Sequence, residues 1–247
     1  MADLTQENVR AYAGARAESF LWPAERWAVR HLLRPAMRVL DLGCGRGRIT
    51  QCLVPLDVRV VAADLNFDSL RACREATVAA AGVSHAQLDA RFLPFRDRTF
   101  DVVLYPFNGL DFISPLSARV QAVAEIARIL KPGGAFVFSS HNPLGTVFTP
   151  RGVLSLASWR WRLGYLGSGS FRERYARDAN GLLLYQAPPP AIIREVERAT
   201  DLRFVRAMSR SGLGGVWFLL CLSSAWPYYV FRKKFSDVDP PGQISGA

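Results

Sequence analysis

The chain of 247 residues has only three histidines, four cysteines and three lysines, and each scarcity removes a class of function. Cys44, Cys52, Cys73 and Cys221 form no Cys-x-x-Cys pair and have no histidine at metal-ligand spacing. Neither a zinc site nor a disulfide framework is expected, and the thiols read as small buried hydrophobes in a reducing compartment. No Gly-Lys-Ser/Thr occurs, which excludes a phosphate loop of the ATPase type. Ser139 and Ser140 lack a Gly-x-Ser-x-Gly elbow, so a hydrolase triad is not expected. Internal repeats and low-complexity segments are also absent.

Long apolar runs are scarce too. The first residues, MADLTQENVRAYAG, have no apolar core, which predicts no secretory signal and a cytoplasmic location. Ser211 to Phe231 is free of charge over nearly a spanning length, yet it holds glycines, serines and a proline. A buried strand or hairpin is expected there, with a membrane-interface segment as the lesser alternative.

What is present is a chain that is 50% hydrophobic and 21% charged, enough apolar surface for one decorated domain and too much for disorder. The net charge of +10 comes almost wholly from arginine. It favours anionic partners such as nucleic acid, small anionic molecules or a membrane surface, unless it reflects genomic base composition alone.

Short apolar segments alternate with helical ones. Residues 1–35 read as helical, with Pro23 as a break or first-turn residue. Strands are expected at 37–41, 58–63, 86–90, 99–105 and 134–140, and helices at 48–54, 67–81 and 115–130. Lys131-Pro-Gly-Gly134 is expected to stop the last of these helices. This alternation means βαβ units: an α/β, Rossmann-like, doubly wound and mostly parallel sheet with helices on both faces over 36–142. The pattern then fails. Residues 143–187 read as an inserted cap on the substrate side, and 188–236 as a helix from the Pro188 run plus final antiparallel strands. Residues 237–247 read as a tail.

The segment VLDLGCGRGR at 39–48 carries the chemistry. A strand runs into a turn where Gly43, Gly45 and Gly47 let the backbone approach a ligand, and the following helix N-terminus offers N–H groups to an anion. Asp64 closes the second strand, where an acid can accept ribose hydroxyls. Asp89 follows the third. The Gly-x-Gly-x-Gly spacing differs from the dinucleotide fingerprint, which argues against a nicotinamide-dependent dehydrogenase.

With VLDLGCGRG, AADLN (62–66), LDARFLPFRDRTFDVVL (88–104) and EIARILKPGGAFVFSSHN (125–142), the chain resembles the class I S-adenosylmethionine-dependent methyltransferases of the small-molecule group. The resemblance implies S-adenosylmethionine as cofactor. It implies that Asp41 and the loop Gly43, Cys44, Gly45 and Gly47 hold its methionine part, and that Asp64 holds the ribose with Leu65 against the adenine. It further implies Asp89 and Ala90 at the adenine edge and Tyr105 beside the sulfonium.

On the acceptor side, the loops after the fourth and fifth strands bring Asn108, Asp111 and His141 towards one cleft. His141 is the candidate general base, and Asn108 and Asp111 the candidates for orienting a substrate hydroxyl or amine. The aromatic and arginine residues from Trp159 to Arg177 read as a mobile lid. The expected reaction is methyl transfer to oxygen or nitrogen of a polar or anionic small molecule. The alternatives are a nucleic-acid methyltransferase, disfavoured by Tyr105-Pro-Phe-Asn after the fourth strand, and a non-catalytic cofactor-binding partner subunit.

Overall fold

The computed structural model describes residues 20–145, 174–177, 181–213, 220 and 224–235. Five strands come first: β1 (Arg38–Leu42), β2 (Arg59–Asp64), β3 (Val83–Gln87), β4 (Phe100–Tyr105) and β5 (Leu130–Ser139). Four of them pair in parallel as β3-β2-β1-β4, and β5 continues the sheet in parallel beside β4. The apolar runs VVAA, VVL and FVF are what a sheet covered on both faces requires. Val39, Leu40, Ala62, Val103 and Phe138 are all fully buried.

The helices that cover the sheet are α1 (Pro23–Leu32), α2 (Arg48–Leu53), α3 (Phe67–Ala76) and α4 (Leu116–Ile129). Pro23 sits in the first turn of α1, where a missing N–H costs nothing. Asn66 caps α3, its side-chain oxygen accepting from the N–H of Ser69.

A two-stranded sheet of β6 (Tyr175–Arg177) and β7 (Leu183–Tyr185) lies within the segment expected to be a cap, followed by α5 (Pro189–Ala199). The remainder of that segment, including Trp159 and Phe171, lies outside the described residues. Strand β8 (Leu202–Met208) then forms the sheet edge, and β9 (Tyr228–Lys233) inserts antiparallel between β5 and β8. Tyr228 to Phe231 of the uncharged stretch is therefore a central buried strand. Among the described residues no helix is long and apolar enough to cross a membrane.

Three boundaries differ from expectation. The third strand lies three residues earlier than the apolar residues suggest, because it is a sheet edge with Ser84 and Gln87 exposed. The buried Leu88 and Ala90 belong to the loop beyond it. Helix α3 ends at Ala76, where the Thr77 hydroxyl turns back to the carbonyl of Cys73 and also meets His85 Nε2 at 2.9 Å. The Lys131–Gly134 stretch does not follow α4 as a separate stop. It lies inside β5 as an irregularity, with register passing from Phe100–Leu130 directly to Val102–Ala135.

Candidate functional site

The carboxyl ends of β1, β2, β4 and β5 open on one edge of the sheet, and two adjoining cavities lie there. The larger, about 350 Å³, is lined by Asp41, Gly43, Cys44, Gly45, Asp64, Leu65, Asp89, Ala90 and Tyr105 among others. The smaller, about 220 Å³, is lined by Asn108, Ser139, His141, Leu182, Leu184, Arg210, Trp226 and Tyr228. Phe107 and Phe112 line both.

The turn after β1 needs its glycines for two separate reasons. Gly45 has open space around it, but its φ of +55° is one that side chains rarely adopt. Gly43 combines a φ of +65° with a close approach, since a Cβ there would stand 2.7 Å from Tyr105 Cε2. Tyr105 thus packs its ring directly on the loop. Burial pushes its phenol well above the ordinary value, so the hydroxyl stays protonated and is no base.

Asp64 ties the two loops together: the N–H of Gly45 donates to its Oδ2 at 2.7 Å and that of Asn66 to its Oδ1 at 2.8 Å. Burial raises its pKa, and these N–H bonds hold it back down. Asp41 is almost fully enclosed. Thr50 Oγ1 donates to its Oδ2 at 2.6 Å, but its Oδ1 has no partner. Burial pushes this carboxyl up to about 7, against the Thr50 bond and the charge of Arg48. A buried carboxylate oxygen without a donor, beside a glycine cradle and a second acid, suits the ammonium, carboxylate and ribose of S-adenosylmethionine.

Asp89, expected at the adenine edge, lines the cavity but is held by its own neighbour. The Arg91 side chain embraces its carboxylate, with Nε at 3.0 and 2.9 Å from the two oxygens, and the Arg91 N–H donates to it as well. Three further residues of this cavity escaped sequence reasoning: Phe20, Trp22 and Arg48. Arg48 pairs with buried Glu25 through two bonds of 2.6 Å and lies 5.1 Å from the Phe20 ring. The signal was weak, a lone acid on the apolar face of α1.

The second cavity is organised by Asp111, which is completely buried. Its Oδ2 accepts from the His141 N–H at 2.6 Å and lies 2.9 Å from His141 Nδ1. Its Oδ1 accepts from Ser140 Oγ at 2.7 Å and from Arg119 at 2.9 Å. A carboxylate paired to arginine can only accept, so Nδ1 of His141 carries the proton and Nε2 is left as the acceptor, facing the Asn108 amide. Asp111 was expected to meet the acceptor. Its carboxylate is enclosed and does not line the cavity; its partners are Arg119, Ser140 and His141.

Arg119 is itself fully buried. Its Nε donates to Glu195 at 2.8 Å, and its guanidinium lies 4.0 Å over the Tyr185 ring. Arg174, within the segment expected to form the lid, donates to Tyr185 Oη at 2.8 Å and to Glu195 at 3.3 Å. Arg119 was missed, yet it shares the α4 stripe with buried Ala122, Val123 and Ile126, and Glu195 interrupts the Ile192–Val196 stripe of α5. A charge on an apolar stripe was the available signal.

Asn108 reaches the cavity as expected. Its Nδ2 lies 3.4 Å from His141 Nε2, while its Oδ1 is buried without a partner. Phe107 and Asn108 hold successive positive φ values of 58° and 59°, a conformation that asparagine tolerates but phenylalanine rarely adopts, and both line the cavity. Asn142 turns away to the carbonyl of Ser224 at 2.9 Å. The acceptor side is therefore more aromatic than the polar cleft expected.

Residues 39–134 match the family described as a methyltransferase domain. A ubiquinone/menaquinone biosynthesis C-methyltransferase of Teredinibacter turnerae is 37% identical over 108 residues, 41% of this chain and 42% of that one. A fatty-acid O-methyltransferase of Mycolicibacterium smegmatis is 36% identical over 109 residues, 43% and 38% of the two chains. The alignments thus span about two fifths of the curated relatives. The structure of the CcbJ methyltransferase of Streptomyces caelestis superposes with a TM-score of 0.66 at 18% identity, covering 92% of this chain and 96% of that one. Residues 39–134 thus match a methyltransferase-domain model, and the chain shares its Rossmann-like fold with a methyltransferase of known structure.

Proposed function

We propose that the chain on this domain is an enzyme that transfers the methyl group of S-adenosylmethionine to a small acceptor made nucleophilic by His141. When bound, that cofactor supplies a methyl group already activated on a positive sulfur. The chain's own work is alignment and removal of a proton. Asp41 and the glycine turn would hold the methionine part, Asp64 the ribose, and Phe107 and Phe112 would separate cofactor from acceptor while excluding water. His141 Nε2 would take the proton of an acceptor hydroxyl, and the anion so formed would attack through oxygen or an activated ring carbon.

The observation that carries this reading is the His141–Asp111 contact of 2.9 Å in the cavity that adjoins the glycine cradle. It favours a hydroxyl over an acceptor that needs no base. The Teredinibacter and Mycolicibacterium relatives, by their names a carbon and an oxygen methyltransferase, support both acceptor atoms. His141→Ala should lower turnover about 10²–10⁴-fold while the affinity for S-adenosylhomocysteine is unchanged. Single-turnover assays with the variant decide it: nearly full turnover would reduce His141 to part of the wall.

A further inference from the structure

Arg210 is the charged side chain of the acceptor cavity that base chemistry leaves without a task. Its guanidinium stacks 4.2 Å from the Trp22 ring and 4.8 Å from the Trp226 ring. Stacking stabilises the cation through the ring faces, but it leaves the five N–H donors in the guanidinium plane unused. Among the described residues no carboxylate or carbonyl accepts from them. Its neighbours differ. Arg48, Arg91, Arg119 and Arg174 each pair with a carboxylate. Arg46, the other arginine of the two cavities without an ion pair, is exposed, whereas Arg210 is half-buried in a cavity wall, which marks where an anion from outside belongs.

A second observation points to the same occupant. Asn108 Oδ1 is buried in that cavity and has no donor, so whatever fills the space must bring one. The same side chain stands beside His141 through its Nδ2, 3.4 Å from Nε2, the atom read as the base. Between this pair and Arg210 the wall is aromatic. The Trp226 ring lies perpendicular to His141 with centroids 6.2 Å apart, and it carries Arg210 on its face. The cavity volume of about 220 Å³ is below the roughly 300 Å³ at which sites for drug-sized molecules begin. That is room for one ring.

We infer that the acceptor is a small aromatic acid, with a hydroxyl at the His141–Asn108 end and a carboxylate that pairs with Arg210. This specificity rests on the reading of His141 as the base. The hydroxyl hydrogen satisfies Asn108 or His141 before transfer, the ring stacks among Phe107, Phe112 and Trp226, and the planar carboxylate matches the guanidinium fork. Arg210 thereby selects the substrate and fixes which hydroxyl faces the cofactor.

The test is calorimetry on the full chain saturated with S-adenosylhomocysteine, titrated with para-hydroxybenzoate and with para-hydroxybenzyl alcohol. The acid should bind roughly 10- to 100-fold tighter than the alcohol, as a charge-assisted pair predicts. Arg210→Met keeps the stem over the tryptophans and should lose that preference while alcohol affinity holds. Arg210→Lys should keep part of it, as a point charge without the fork. Equal binding of the two probes by the unaltered chain, binding of neither, or a preference undiminished in Arg210→Met would overturn the inference. Failure to bind S-adenosylhomocysteine would overturn the methyl-transfer reading itself, so the two failures are distinguishable.

Discussion

The two cavities sit side by side but are built on opposite principles. The cofactor side is made by backbone: Gly43, Gly45, Asp64 and Asp89 fall at or just beyond the carboxyl ends of β1, β2 and β3, and N–H groups fix the key carboxylate. The acceptor side is made by side-chain charge. Asp111 and Arg119, 8 residues apart, meet Arg174 and Glu195 from much further along the chain, and the four neutralise one another largely out of water. A backbone site is broken by adding an atom. A charge network is broken by removing one, because the partner left behind is buried and unpaired.

The largest effect should therefore come from Arg119. Arg119→Met leaves the buried Asp111 without its cation and Glu195 with Arg174 alone, and should cost about 3–5 kcal/mol of stability. Denaturant unfolding measures it, and a loss below about 1 kcal/mol would mean that the network is ornamental to the fold. Where the variant still folds, His141 should lose its fixed orientation, and turnover should fall with little change in cofactor affinity. Failure of that split would detach the network from the base.

The next effect lies on the backbone side. Asp64→Ala removes the acceptor of two N–H bonds and the acid assigned to the ribose. It should weaken S-adenosylhomocysteine binding by about 2–3 kcal/mol, the scale of lost charge-assisted hydrogen bonds. Unchanged affinity in the folded variant would return Asp64 to a purely structural role, that of joining the two loops.

The same contrast explains what is legible in the amino-acid sequence and what is not. The strand–turn–helix at 38–53 and the acid at 64 are local patterns, so spacing alone locates them. The parallel sheet follows from the same alternation, and the antiparallel end from its failure. The position of β3 does not, because an edge strand need not be apolar and Leu88 and Ala90 imitate one. Asn108, Asp111 and His141 are reachable because strand ends converge. Their division of labour is not: whether Asp111 meets solvent or Arg119 depends on α4 packing, 8 residues along the chain, and on Glu195, 76 residues beyond Arg119. No short-range pattern joins Arg210 and Trp226 to His141, so neither is legible as part of the site.

The smallest effect concerns a proton on the cofactor side, where the two principles meet in one residue. Asp41 is a buried charge like those of the acceptor side, but it lacks a buried cation bonded to it, and so its pKa rises from 3.8 to about 7. A carboxyl raised on folding contributes stability that is present below its ordinary value near 4. That contribution is lost as the pH climbs through 7. An ammonium group placed at the unpartnered Oδ1 favours the carboxylate and reverses the shift. Below pH 7, binding must then expel a proton. Affinity for S-adenosylhomocysteine should rise with pH up to about 7 and level off above it. The slope cannot exceed about tenfold, or 1.4 kcal/mol, per pH unit. Asp41→Asn should flatten this dependence and remove the loss of stability towards neutral pH. Calorimetry near pH 6 in two buffers of different ionisation enthalpy counts the protons directly. A count of zero in the unaltered chain would mean that Asp41 is already ionised, or that the ammonium lies elsewhere.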